Sequence, residues 1–328
     1  MNNNKTLRYA VAIAVLLSLF VVMLGAFTRL THAGLGCPDW PGCYGRALVP
    51  SMSTAHDHTP NIPLESRKAW TEMAHRYAAS FLVLLVVGIN LTVLRRRYLG
   101  DTLPWGIPCF LLGLIFFQAA LGMWTVTLKL LPLVVMGHLL GGITIFASLS
   151  YFYAQLSGVS HTASTCWRPW IGLGIVMVFI QIALGGWVSA NYAGIACIGF
   201  PQCNGTWLPT FDFVRGFNLL MPIGANYQGG VLDSSARIAI QTVHRIGAVV
   251  VATYLLGLMG VLLCRARNRP LRVFSCLALL LVLVQFTLGA INVIYLLPLY
   301  AAVAHNGVAA ILLATCAVLF FISRRGDA

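Results

Sequence analysis

Eight apolar stretches, each about 20 residues long, dominate the chain and limit the folds open to it. They run approximately from Leu7 to Thr28, Thr71 to Leu94, Leu103 to Thr127, Leu133 to Phe152, Trp167 to Ala190, Arg237 to Cys264, Leu271 to Ile294 and Leu299 to Ile322. A stretch of this length covers the hydrocarbon core of a bilayer as a helix, which also satisfies its own backbone polar groups there. With 59% hydrophobic and 9% charged residues, the chain has too little polar surface to cover a soluble globule. The expected fold is therefore all-α: a polytopic membrane protein with eight transmembrane helices. The first stretch is too long for a signal-peptide core, and Gly25-Ala-Phe-Thr-Arg29 is a poor cleavage site, so it reads as a retained helix.

Eight spans place both termini on one side. The short segments of that side carry Lys5, Arg8, Arg95, Arg96, Arg97, Arg168, Arg265, Arg267, Arg269, Arg272, Arg324 and Arg325, which marks it as cytoplasmic. The other side receives two long loops, Arg29 to Trp70 and Asn191 to Ala236, with Asp39, Asp57, Glu65, Asp212 and Asp233. Topology thus accounts for much of the net charge of +13, and no nucleic-acid partner is needed; membrane lipid is the expected surround.

The two halves repeat. Shifted by 160 positions, Gly25 to Gly45 overlies Gly185 to Gly205, with both cysteines of each segment in register. At a shift of 169, Glu72-Met-Ala-His-Arg76 meets Gln241-Thr-Val-His-Arg245, and at 167 Gln118-Ala-Ala-Leu-Gly122 meets Gln285-Phe-Thr-Leu-Gly289 while His138 meets His305. Four spans return the chain to its starting side, so the repeats are parallel: two four-helix bundles, 1–158 and 159–328, related by a pseudo-twofold axis along the membrane normal. Cys37/Cys43 and Cys197/Cys203 share one spacing in the outer loops, where an oxidising compartment favours a disulfide in each; a metal or redox thiol pair is the rival reading.

Four histidines fall at membrane depth, where a polar side chain is costly and points to function. His75 and His244 are expected to open the second and sixth helices; His138 and His305 lie in the first turns of the fourth and eighth. Each pair comes to similar depth on two helices of one bundle. Two imidazoles without a nearby cysteine or paired carboxylate suit bis-histidine haem better than a bare metal. Small residues one turn on, Ala79, Gly142, Ala248 and Ala309, leave room for a porphyrin plane. The alternative is close helix packing with interhelical hydrogen bonds from the histidines. Arg76 and Arg245, each following a histidine, are candidate partners for haem propionates or interfacial anchors. His32, His56, His58 and His161 lie in loops.

The repeat breaks at Glu72, whose counterpart is Gln241. Glu72 precedes His75 by one turn on the same face. A carboxylate beside a haem edge can take up a proton or stabilise developing positive charge, whereas an amide can only hydrogen-bond. The first half would then do chemistry and the second hold a permanent haem, unless Glu72 merely caps its helix.

These residues resemble the haem A synthases of bacteria and mitochondria. The likeness spans essentially the whole chain and rests on Gly34-Leu-Gly-Cys37-Pro-Asp-Trp-Pro-Gly-Cys43, Glu72-x-x-His75-Arg76, Gly137-His138-x-x-Gly141, Cys197-x5-Cys203, His244-Arg245 and His305-Asn306-Gly307. The resemblance implies an oxidoreductase that converts the methyl at pyrrole position 8 of haem O to a formyl group, giving haem A for terminal oxidases. It further implies haem b held by His244 and His305, substrate haem O faced by His75 and His138, Glu72 as the catalytic acid, and both loop disulfides, with Cys37/Cys43 the more closely tied to activity. The expected setting is the bacterial inner membrane, with a haem O synthase as supplier, an electron acceptor of unknown identity and a possible homo-oligomer. Competing readings are a bis-haem b, quinol-linked electron-transfer cytochrome and a transporter with histidine proton relays.

Overall fold

A computed structural model of the chain describes residues 2–159, 166–266 and 268–324; His161, Arg267 and Arg325 lie outside the described residues. The helices are α1 (Asn2–Leu30), α2 (Met52–His58), α3 (Ser66–Tyr98), α4 (Gly106–Thr127), α5 (Pro132–Leu156), α6 (Arg168–Ala190), α7 (Phe213–Gly216), α8 (Ser234–Arg265), α9 (Arg269–Ile294) and α10 (Leu299–Ile322). All but α2 and α7, which sit in the two long loops, are long and apolar enough to cross a membrane. No strand occurs among the described residues, only isolated bridges Cys43–Arg46 and Cys203–Thr206.

Several spans exceed their apolar cores, α3 at both ends. At about 1.5 Å per residue, the 33 residues of α3 extend some 50 Å, well beyond a hydrocarbon core of about 30 Å. Its first turns, Ser66-Arg67-Lys68, are polar and belong outside the hydrocarbon, which is why hydropathy places the start of α3 several residues late. His75 and His244 consequently lie within α3 and α8 rather than at their openings.

Packing runs α1–α3–α4–α5 and back to α1, and separately α6–α8–α9–α10 and back to α6. The two sets join through α1–α10, α5–α6 and α5–α10. This pattern is compatible with two four-helix bundles side by side. One apolar core occupies α1, α3, α4 and α5 around Val11, Ile89 and Leu149; a larger one spans the joint and the second set around Leu255, Ala278 and Leu319. α10 is the innermost span, with 67% of its apolar window buried against 17% for α8. Outward residues such as Leu16, Phe81, Leu84, Phe116, Ile180 and Val249 stay exposed, as a lipid-facing surface requires.

Residues that the repeat makes equivalent meet at the joint. Arg29 Nη2 donates to the carbonyl of Ser189 at 2.7 Å, and the His32 ring stacks on Tyr192 at 5.7 Å. Such contacts between counterparts are compatible with a pseudo-twofold axis running along the joint. The second outer loop also crosses it: the Tyr227 amide donates to the Lys129 carbonyl at 3.1 Å, and its buried ring packs on Leu130 and Leu131.

Candidate functional site

Matched turns set the depth of two of the histidines. Lys129-Leu130 and Leu296-Leu297 both have positive φ, so α4–α5 and α9–α10 reverse through the same left-handed pair, each closed by a 2.8 Å bond back to Thr125 or Asn292. His138 and His305 follow within the next helix at equal offset.

In the first half, the His75 and His138 ring centroids are 6.4 Å apart, with planes at 83°. Imidazole nitrogens are donors that a haem iron takes, and His75 and His138 would be the residues to hold one here. Both Nδ1 atoms are buried and lack a protein partner. The rings border a cavity of about 290 Å³ whose wall is largely apolar, with Ala79 and Gly142 among its lining residues. A two-imidazole donor set beside an apolar cavity fits a haem-type ligand.

Glycines on the neighbouring helix give the rings their space. A Cβ on Gly25 would stand 3.0 Å from His75 Cε1, and one on Gly122 would stand 3.2 Å from His138 Cε1. Gly185 and Gly289 take the same places against His244 and His305, at 3.0 and 3.2 Å. Glutamine amides accompany three of the histidines. Gln118 Nε2 donates to the His138 carbonyl at 2.6 Å, Gln181 Nε2 lies 3.0 Å from His244 Nδ1, and Gln285 Nε2 lies 3.2 Å from His305 Nε2. The second half thus repeats the glycine backing of both imidazoles.

Glu72 lies in the second turn of α3, whose N-cap position is Glu65, so it does not cap that helix. It is 4% exposed, pairs with Arg76, and accepts the Cys37 amide at 2.9 Å. Arg76 continues to the carbonyls of Asp39 (3.0 Å), Pro41 (3.1 Å) and Gly42. The Cys37–Cys43 disulfide closes this loop, while Asp39 accepts the Tyr44 and Gly45 amides. Opposite the repeat, Cys197–Cys203 closes the second loop, and Arg245 donates to the carbonyls of Cys197, Gly199 and Gln202. Gln241 reaches the Gly194 carbonyl at 3.3 Å. Both arginines considered for propionates therefore brace a disulfide loop, and Glu72 supplies a buried acid where the second half has Gln241.

The structure gathers Glu72, His75, Arg76 and His138 around one cavity, with His244, Arg245 and His305 in the other half. His56 and His58 belong to α2 in the outer loop, away from these pairs. The ring-facing glycines and the accompanying glutamines had not been singled out from the sequence. Their signal was present, since Gly25 repeats as Gly185, Gly122 as Gly289 and Gln118 as Gln285.

A family model described as cytochrome oxidase assembly protein matches residues 8–317. A haem A synthase from Shewanella oneidensis is 42% identical over 317 residues, covering 94% of each chain. A haem A synthase from Caulobacter sp. is 29% identical over 340 residues, covering 95% of this chain and 94% of its own. One from Neorickettsia sennetsu is 26% identical, with 96% and 98% covered. Agreement of this extent, running through both halves and both bridged loops, settles kinship: the chain belongs to the haem A synthase family of cytochrome oxidase assembly proteins.

Proposed function

We propose that this protein is an oxidoreductase that makes haem A, converting the methyl at pyrrole position 8 of haem O to a formyl group for use by terminal oxidases. In this reading residues 1–158 hold the substrate haem O between His75 and His138, and residues 159–328 hold haem b between His244 and His305. The carrying observation is the break in an otherwise matched framework: buried Glu72 beside His75, against Gln241 beside His244. Methyl to aldehyde removes four electrons, through two hydroxylations and loss of water from the geminal diol.

Bound haem b supplies a one-electron relay. The protein's own residues do the rest. His75 and His138 fix the substrate plane, and Gly25 and Gly122 leave the rings free to face it. Glu72 presents a carboxylate at the outer edge, steadied by the Cys37 amide and Arg76, where it can hold a proton on Oε1 or Oε2 or balance developing positive charge. Arg76 needs its donors for Glu72 and the loop, so a contact from it to a propionate would give up a loop carbonyl.

The arginine-rich cytoplasmic segments support an inner-membrane protein with both termini cytoplasmic. A haem O synthase is the expected supplier, because haem O is scarce and apolar, and an electron acceptor takes up the electrons that the oxidation releases. The test is extraction of haems from purified protein expressed with a haem O source. Haem b together with hydroxylated or formyl product is expected; haem b alone, without such product, defeats the proposal in favour of an electron-transfer cytochrome.

A further inference from the structure

The cavity between His75 and His138 has an apolar body and a polar outer rim that includes Arg29, Glu72, Arg76 and Ser189. Arg76 is committed to Glu72 and three loop carbonyls. Arg29, on the last turn of α1, is not so committed. Its hydrogen bonds run from Nη2, to the carbonyls of Ser189 (2.7 Å) and Ala190 (3.3 Å). Its Nε is buried without a partner, and the guanidinium lies 4.0 Å from the Tyr192 ring centre.

The substrate's own connectivity sets what this rim must meet. In haem O the methyl at position 8 shares its pyrrole ring with a propionate at position 7. If Glu72 faces that methyl, the adjacent propionate falls at the same rim, in a partly desolvated place where a carboxylate needs a cation. Resting on the proposed function above, we infer that Arg29 receives this propionate and so sets which edge of the tetrapyrrole faces Glu72. The counterpart of Arg29 is Ser189, so the second half has no cation at this position. Arg29 is thus a positioning residue particular to the substrate half.

The test compares haem O with its dimethyl ester, in which both propionates are capped, by absorbance titration of the purified full-length protein. The variants are Arg29→Gln and Arg29→Met, the latter keeping an apolar stem beside Tyr192. One charge-assisted hydrogen bond corresponds to a preference on the order of tenfold. Wild type is expected to bind the free acid about tenfold more tightly than the ester, and each folded variant to bind both alike. Retention of the haem b spectrum and melting temperature gauges folding. A variant that is folded and keeps the full acid preference overturns the assignment, as does a wild type that binds both forms equally. His75→Ala separates this failure from that of the parent reading: haem O binding that survives His75→Ala refutes the substrate site itself, whereas His75-dependent binding with no role for Arg29 refutes only this inference.

Discussion

Replacing Gly25 by alanine isolates the contact that gives His75 its place. The added Cβ would stand 3.0 Å from Cε1, 3.4 Å from Nε2 and 3.6 Å from Nδ1, so it presses on the ring between its nitrogens. Carbon–carbon contacts are optimal at about 3.5–4.0 Å, so the imidazole must retreat by roughly 0.5–1 Å. Overpacking of this kind costs about 1–3 kcal/mol. Alanine in a helix returns up to about 1 kcal/mol relative to glycine, so the melting temperature shifts little. With His75 holding haem O as proposed, affinity feels the displaced imidazole directly, and a loss of 1–3 kcal/mol corresponds to about 5- to 150-fold. The assay is absorbance titration with haem O, beside quantification of resident haem b. Gly25→Ala should weaken haem O binding while haem b is retained; Gly185→Ala, with the same 3.0 Å approach to His244 Cε1, should do the reverse. Gly88→Ala is the control, since nothing lies within 4 Å of its added Cβ on the same helix as His75. Wild-type affinity in Gly25→Ala, or an equal loss in Gly88→Ala, would refute the reasoning.

Glu72→Gln should fold, because the repeat already seats an amide at Gln241, and should keep the haem b spectrum while oxidation of haem O stops; full turnover would rule out the proposed acid. His244→Ala or His305→Ala should deplete haem b, and His75→Ala or His138→Ala should spare it but abolish turnover, as read by haem extraction; loss of all haem from every variant would undo the division between halves. Outside the spans, the Ala236 amide and then Arg215 hold the Asp233 carboxyl below its usual value. A depressed folded-state pKa gives stability above the ordinary carboxyl value of about 3.9 that disappears as pH falls through the folded value. Amide exchange at Ser235 to Ile238, corrected for intrinsic rates, should therefore accelerate in acid in the wild type and at all pH values in Asp233→Ala; no acid acceleration in the wild type would count against the cap.

The class of fold and the paired histidines were legible because the bilayer imposes a length on each span and a cost on each polar residue within it. The repeat then distinguished Glu72 from Gln241. Helix starts were less legible: the polar outer turns of α3 and α8 carry no hydropathy signal, so His75 and His244 were read as opening helices that begin well before them. The glycines facing the rings were visible as repeated letters, but a glycine in a membrane helix reads first as a packing position. Only the approach of a specific imidazole gives it a different meaning. The fate of Arg76 and Arg245 was not legible at all, since their acceptors are backbone carbonyls of bridged loops and carry no residue-type signature.

The crossing of the second outer loop onto Lys129 and Leu130 fixes an order of events during synthesis. Tyr227 leaves the ribosome about 100 residues after the turn it covers, a delay of about 5–20 s at ordinary elongation rates. Over that interval the turn at Lys129 and Leu130 exists without the segment that packs on it. Asn306 of α10, which lines the cavity beside His75 and His138, is made later still, so completion of that cavity is an act of the later half of translation.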